Sequence, residues 1–471
     1  MTEPLQYHTA ATVVEHRSIG HIPHSERYGT ARGLLFLWLS MNSTVLTMTT
    51  GAIGIALGAS LTSTIFAIVI GNLIGALFMA YHSAQGPKLG LPQMIQSRAQ
   101  FGFLGAAVPN AMAILMYIGY FVSADVLGGQ AVASLAHVSV GAGIAIATVV
   151  TWLVAWLGYR AIHLLNRVMA VVSSVVLAVL VVPILGHLPT AHYTGTHNTV
   201  ATFMLMLSIA ASWQITFAPY VSDYSRYLPA STSSTKTFIY TYIGSTVGAT
   251  LFMIVGAIAG VEALTSLNDN AVGYLSGLVP GMGTLFTVLL FFGIVAVNCE
   301  NLYGPYVTGL ATVTRAGGRI PSEISRLIFT GALAIFGGLL GSMMSSHFIL
   351  TLLNFITFLL YLLVPWTAIN LVDFYVINKG SYDIGAIFEP NGKYGLINWL
   401  SIAIYAVAIA AEIPFMNSAI YEGPVAKLLG GSDISWIVGL VVAAGTYLLA
   451  ERTKQNRAVV ATTLDASGQA A

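Results

Sequence analysis

The sequence predicts an all-α polytopic membrane protein with twelve transmembrane helices. Of its 471 residues, 56% are hydrophobic and only 7% are charged, whereas an ordinary soluble domain has roughly a quarter of its residues charged. Stretches of about 20 mostly apolar residues, enough to cross the hydrocarbon of a bilayer, recur along almost the whole chain. Alternating apolar and polar decamers, the mark of an outer-membrane barrel, are absent, so helices must satisfy the backbone in lipid. A water-soluble fold is excluded.

The segments run roughly over 33–59, 60–82, 104–135, 138–158, 164–186, 199–223, 236–260, 283–309, 327–345, 348–376, 394–416 and 434–451. Basic residues near helix ends stay on the cytoplasmic side. Arg17, Arg27 and Arg32 precede segment 1, Lys88 and Arg98 follow segment 2, and Arg160 and Arg167 flank the start of segment 5. Arg226 and Lys236 follow segment 6, Arg315, Arg319 and Arg326 follow segment 8, and Lys379 and Lys393 follow segment 10. With Arg452, Lys454 and Arg457 in the tail, only Lys427 falls on the other side, which predicts both termini in the cytoplasm. The first 32 residues are polar with no apolar core, so no cleavable signal peptide is expected and segment 1 directs insertion. The ends, about 1–25 and 455–471, read as flexible tails.

The net charge of +1 offers no basic face for nucleic acid, and the basic loops are already explained by topology. Cys299 is the only cysteine, which rules out an internal disulfide and a Cys-rich metal site. Partners are therefore membrane lipid and a small molecule, with no metal or cofactor beyond a co-transported cation. Oligomeric state stays open.

Two segments carry polar interruptions that a plain anchor does not need. Segment 1 contains Asn42-Ser43-Thr44, then Thr47, Thr49, Thr50 and Gly51; segment 6 contains Ser208, Ser212-Trp213-Gln214, Thr216 and Pro219. Their spacing suits two inverted five-helix repeats, each with its first helix broken at a substrate site. The plainer account is that Ser and Thr bond back to their own helix and small residues serve packing.

Ionisable groups inside segments are costlier and more informative. Asp125 lies late in segment 3 and Glu300 deep in segment 8, and either is a candidate for carrying a proton or neutralising a cation. Asp223 and Arg226 read as a local ion pair, Asp373 as a boundary residue, and Glu412 as a residue near the outer end of segment 11. A flat ring is held by aromatic faces and read at its edge by amides. Trp213 beside Gln214, Asn301 beside Tyr303, and Tyr117 with Tyr120 and Phe121 supply both kinds of group. Trp38, Trp152, Trp156, Trp366, Trp399 and Trp436 read instead as an interfacial belt.

These residues sit in stretches that are familiar together: "WLSMNSTVLTMTTGAIGIALG", "GPKLGLPQMIQSRAQFG", "SWQITFAPYVSDYSRYLP", "VNCENLYGPY" and "PWTAINLVDFYVINKGSYD". The chain resembles the nucleobase:cation symporter family in its purine-cytosine permease branch. The resemblance implies a ten-helix inverted-repeat core of the leucine-transporter type with two added C-terminal helices, working by alternating access. The division is then a cytoplasmic N-terminal tail 1–32, a transport core 33–376, a cytoplasmic loop 377–393, helices 11 and 12 over 394–451, and a cytoplasmic tail 452–471.

Carried over by resemblance, Trp213 is the stacking indole, flanked by Ser212 and Gln214 at the helix 6 break, and Asn301 is the substrate-binding amide. Asn42 and Ser43 contribute from the helix 1 break. The family's helix 3 pairs an aromatic with an amide, but "MYIGYFVSAD" supplies Tyr117, Tyr120 and Phe121 with no Gln or Asn. Sodium-using members place hydroxyls on helix 8 where this chain has Val295 and Ala296, so sodium would need Asn298. Protonation of Glu300 or Asp125 is the favoured coupling.

The expected function is inner-membrane import of a nucleobase or similar nitrogen heterocycle by cation symport, proton favoured over sodium. An amino-acid or other small-metabolite symporter on the same fold is the alternative, followed by a non-transporting sensor. An enzyme is not expected, since no nucleophile-and-base or ligand cluster appears and His163, His187, His192, His197 and His347 fall at segment ends or in loops.

Overall fold

The structure, a computed structural model, describes residues 19–157, 159–186, 193–313, 323–418 and 420–468. Arg17, Arg315, Arg319, His187 and His192 lie outside the described residues, as do the side chains of Arg160, His163 and Arg457. Among the described residues the secondary structure is helical, apart from an isolated bridge between Asn417 and Glu422.

Each expected segment falls on a helix or a pair of helices. Segment 1 divides into α1 (Arg32–Met41) and α2 (Val45–Ala56), followed by α3 (Leu61–Ser83), α4 (Ala107–Ala136), α5 (Val140–Trp156) and α6 (Tyr159–Gly186). Segment 6 divides into α7 (Val200–Ile215) and α8 (Ala218–Ser225). Then come α9 (Ser234–Gly277), α10 (Gly283–Val313), α11 (Glu323–Met344), α12 (Phe348–Leu371, prolonged by a π-helical turn), α13 (Trp399–Glu412) and α14 (Ser435–Gly468). Hydroxyl and amide caps start many of them: the side chains of Thr44, Ser60, Ser139, Thr199 and Asn398 each accept a backbone N–H three residues on. Among the described residues, seven helical stretches are long and apolar enough to cross a membrane and four shorter apolar helices accompany them. The face of α6 bearing Val168, Val171, Val175, Val179 and Val182 is exposed, as a lipid-facing stripe must be.

Packing is reciprocal between the two halves. The first helix of the first half, α2, packs most extensively on α9, the second of the other half; α7, the first of the second half, packs on α3. The third helices, α4 and α10, pack on each other, and the contacts of α6 with α10 mirror those of α12 with α4. This exchange is what two inverted repeats produce. Close approach at the two matching crossings depends on glycine: a Cβ on Gly51 of α2 would stand 1.9 Å from the Met253 carbonyl oxygen, and one on Gly75 of α3 would stand 2.3 Å from that of Ala211. With α13 and α14 packed against α12, the chain has the fold of a polytopic membrane transporter.

Several expectations need correction. Residues 19–25, expected in a flexible tail, are tied down: Ile22 is buried and its N–H donates to Gly90 O (2.9 Å); just beyond them, Tyr28 N–H donates to Tyr227 O (2.6 Å). The C-terminal stretch expected to be loose continues α14 to Gly468. Segment 7 was expected to end near 260, yet α9 runs to Gly277 with kinks at Ala263 and Asn270. The loop after α3 folds into three short helices, Gly86–Leu89, Gln93–Gln96 and Arg98–Phe101, whose amides are buried. Trp38, Trp366 and Trp436 are buried rather than interfacial; Trp366 lies 4.9 Å from the His82 ring, stacked at 3°, and Trp436 donates to Ser208 Oγ. Trp156 and Trp399 are exposed as a belt requires.

Candidate functional site

The break in segment 1 is complete. Asn42 and Ser43 leave the helix, and Thr44 is extended (φ −134°, ψ 155°) before α2 begins. Side chains satisfy the opened backbone: Asn42 Nδ2 donates to Trp38 O (2.8 Å), Ser43 Oγ to Leu39 O (2.9 Å), and Thr47 N–H donates to Thr44 Oγ1 (3.1 Å). Thr49 and Thr50 bond back to Leu46 O, so the plainer account holds for them.

The break in segment 6 is milder and lies further along than expected. Ser212, Trp213 and Gln214 sit inside regular α7; only Thr216 and Phe217 separate it from α8, with helical dihedrals. The cause is Pro219, which has no N–H to donate to Ile215 O. The gap is a loosened turn, not an unwound segment.

Between these breaks, α4, α6 and α10 lies a cavity of about 700 Å³. Trp213 lines it, 4% exposed, its indole meeting Tyr120 edge-on at 5.9 Å and Phe217 at 6.2 Å. The indole Nε1–H donates to Asn42 Oδ1 at 2.8 Å, so the amide of the first break orients the ring of the second half. Thr216 Oγ1 donates to Trp213 O (2.7 Å), so the contact of Tyr120 with that hydroxyl (2.7 Å) makes the phenol the donor. Tyr117 stacks on Tyr220 at 5.6 Å. Asn301 lines the same wall and donates to Asn298 Oδ1 (3.3 Å). Beside it, Glu300 accepts from Asn166 Nδ2 (2.7 Å) and from the Tyr224 hydroxyl (3.0 Å). The cavity reaches Tyr28–Thr30 and Arg226–Leu228, the side on which the basic loops lie.

Of the residues named from sequence, Trp213, Asn301, Ser43, Tyr117, Tyr120 and Glu300 line the cavity. Six do not, and each has a physical reason. Asn42 is one layer back, holding the indole. Gln214 faces away: its amide donates to Asn72 Oδ1 (2.7 Å) and accepts from Ser245 Oγ (2.6 Å), pinning α7 to α3 and α9. Ser212 Oγ donates to Ile356 O (2.7 Å) on α12. The Phe121 ring packs on Gly337 of α11. Asn298 is buried and donates to Phe121 O (3.2 Å). Asp125 is turned into the α4–α5 contact, where it accepts from Thr148. Val295 and Ala296 are buried and have no side-chain oxygen to offer sodium.

Asp373 is more than a boundary residue: Tyr382, Tyr447, Gln100 and Asn378 all donate to its carboxylate. It anchors a buried amide floor in which Gln85 donates to Asn370 Oδ1 (2.9 Å), Gln93 to Gln85 Oε1 (3.2 Å) and Gln96 to Ser222 Oγ (3.0 Å). The glutamine-rich stretch that carried the resemblance therefore builds scaffold, away from the ring wall. Glu412 ends α13 as expected, and is fully buried there against Gly439 of α14. Sequence reasoning missed Asn166 and Tyr224; the available signal was the one amide of segment 5 and a tyrosine in "SDYSRY".

A cavity at the junction of two broken helices, inside an inverted-repeat membrane fold, defines a transporter and not an enzyme. The family model described as permease for cytosine/purines, uracil, thiamine, allantoin matches residues 21–439. The chain is 37% identical to the putative purine-cytosine permease YxlA of Bacillus subtilis (strain 168), over 94% of this chain and 97% of that one. It is 28% identical to the purine-cytosine permease fcyB of Emericella nidulans, over 92% and 88%. Among solved structures it is similar to Mhp1, a nucleobase-cation-symport-1 family transporter. The closed form with bromovinylhydantoin bound gives a TM-score of 0.73 at 20% identity, over 94% of this chain and 96% of that one. The inward-facing form gives 0.75 at 18%, over 95% and 96%. The chain belongs to the cytosine/purine permease family.

Proposed function

We propose that the protein is a secondary active transporter importing a nucleobase or related small nitrogen heterocycle of the purine or cytosine type, by cation symport with the proton favoured over sodium. The observation that carries this is Trp213: its indole is fixed by Asn42 across the two halves and lines a cavity that also holds Asn301. A planar ring gains by meeting an aromatic face, and an amide reads its edge. The purine-cytosine permeases YxlA and fcyB support the same substrate class.

The reading includes an inner-membrane location with cytoplasmic termini; the opening of the cavity beside the basic loops supports an inward-facing state under the positive-inside rule. Residues 33–376 act as the core that alternates access, the loop 377–393 and the tails are cytoplasmic, and 394–451 pack outside it. Proton coupling is supported by Glu300 in the cavity wall and by the hydrocarbon at Val295 and Ala296. Cation and ring must bind better together than apart for either to drive the other.

The test is a thermal-shift screen of purified protein against cytosine, purines, uracil and allantoin, with leucine as the amino-acid competitor, each with and without sodium. A heterocycle stabilises the protein, sodium adds nothing, and acidifying the outside of proteoliposomes drives accumulation. Stabilisation by leucine alone would replace this reading with an amino-acid symporter.

A further inference from the structure

Glu300 is the carboxylate placed next in sequence to Asn301, and both face the same cavity. Its surroundings are unusual for a partly buried acid. Among the described residues its two partners, Asn166 Nδ2 at 2.7 Å and the Tyr224 hydroxyl at 3.0 Å, are both neutral. A carboxyl group has about four acceptor positions, so capacity remains toward the cavity. The other titratable or charged groups lining this cavity are Tyr28 ahead of α1, Tyr117 and Tyr120 from α4, Arg167 from α6, Tyr220 and Asp223 from α8, Arg226 and Tyr227 just after it, and Tyr303 on α10 itself; Cys299 turns away, its thiol donating to Thr151 O (3.4 Å). Asp223 accepts from Gln93 N–H at 2.7 Å and is tied to the amide floor.

Building on the nucleobase-transport reading, we propose that Glu300 both carries the co-transported proton and pairs directly with the substrate, its neutral carboxyl matching a ring edge that presents one donor beside one acceptor. The chemistry is a matter of counting sites. A neutral carboxyl offers one O–H donor and one C=O acceptor side by side, whereas the ionised form offers acceptors only. Nucleobases display adjacent donor–acceptor edges, an N–H beside a C=O or an amino group beside a ring nitrogen. The neutral acid makes two bonds to such an edge. The carboxylate makes one and sets two acceptors against each other, leaving a desolvated acceptor unsatisfied once the ring covers it.

Ring and proton thereby bind cooperatively at one residue, which is what symport requires. The proton joins a Glu300 oxygen from the outer side, the ring seats on Trp213 and Glu300, and in the inward-facing state the ring departs first. The proton then leaves through the opening beside Tyr28 and Tyr227. No redox partner or further reactant is involved.

The sign follows directly. The ring binds the protonated form better, so its binding raises the proton affinity of Glu300, and ring affinity falls as pH rises. Glutamine retains a donor and an acceptor side by side but cannot exchange a proton; alanine has neither. Purified full-length protein is titrated with cytosine and hypoxanthine at about pH 5 and about pH 8, and proton uptake on cytosine addition is followed in weak buffer. Wild type loses about tenfold or more in affinity across that range and takes up protons on binding.

Glu300→Gln binds cytosine at both pH values within about threefold of wild type at low pH, takes up no protons, and in proteoliposomes keeps exchange while losing pH-driven accumulation. Glu300→Ala binds about tenfold or more weakly at both pH values. Equal binding by the Gln and Ala variants overturns the direct pairing, as does wild-type protein that takes up no protons on binding, a result that needs no variant. Wild type that binds no nucleobase at any pH is a different outcome and removes the transport reading itself.

Discussion

At the scale of single residues, the site turns on whether a polar side chain faces the cavity or the next helix. Trp213 and Gln214 are neighbours in sequence, yet about 100° of helix rotation sends one to the cavity and the other into the α3–α9 contact. Trp213→Leu removes the ring face and lowers cytosine affinity about fivefold or more, while Trp213→Phe keeps most of it; binding titration distinguishes them. Gln214→Leu behaves oppositely. It strands the polar groups of Asn72 and Ser245, costing about 1–3 kcal/mol each, so the melting temperature falls while protein that remains folded binds the ring unchanged. Residue type was legible in the sequence: Trp213, Asn301, Tyr117, Tyr120, Ser43 and Glu300 all line the cavity. Direction was not. Ser212, Gln214, Phe121, Asn298 and Asp125 have suitable groups, but which face of a helix meets a cavity depends on partners on other helices, such as Ile356 O for Ser212.

At the scale of elements, the two interrupted helices differ in kind. Asn42–Thr44 is a full break held open by its own side chains, whereas Thr216–Phe217 is a loosened turn caused by one missing N–H. The polar run in segment 1 announced the first break in place. In segment 6 the polar run and the break are offset, because Ser212 and Gln214 serve interhelical bonds while the ladder is interrupted at Phe217, whose N–H turns to Gln214 O, and at Pro219, which has none. Pro219→Ala restores a donor for Ile215 O and stiffens the junction. Cytosine affinity then stays within a few-fold of wild type while the uptake rate falls about tenfold, which initial-rate transport in proteoliposomes will read. The crossing of α2 with α9 is equally demanding: Gly256→Leu would drive side-chain atoms into the Met48 carbonyl, 1.8 Å from the position of a Cβ, and folded protein would no longer be recovered from membranes.

At the scale of the whole molecule, apolar segments and the placement of Lys and Arg were enough to read the helical class and the succession of elements, because lipid leaves the backbone few options. The buried loop at 86–101 and the continuation of α9 past residue 260 escaped that reading, since polar or short helices buried in protein carry no hydropathy signal. The open face has a direct test: Thr30 is exposed at the cavity mouth and Cys299 is fully buried, so Thr30→Cys gives one reactive thiol. A membrane-impermeant maleimide labels it in inside-out vesicles and not in right-side-out ones, and saturating cytosine changes the labelling rate. The reciprocal packing also bears on how the chain is made. Because α2 finds its main partner in α9, some two hundred residues later, the first five helices enter the bilayer with Gly51 and its neighbours still facing lipid, awaiting the second half. Biogenesis is thus a docking of two incomplete halves, and fragments severed between α6 and α7 are expected to reassemble when produced together and to be degraded when produced alone.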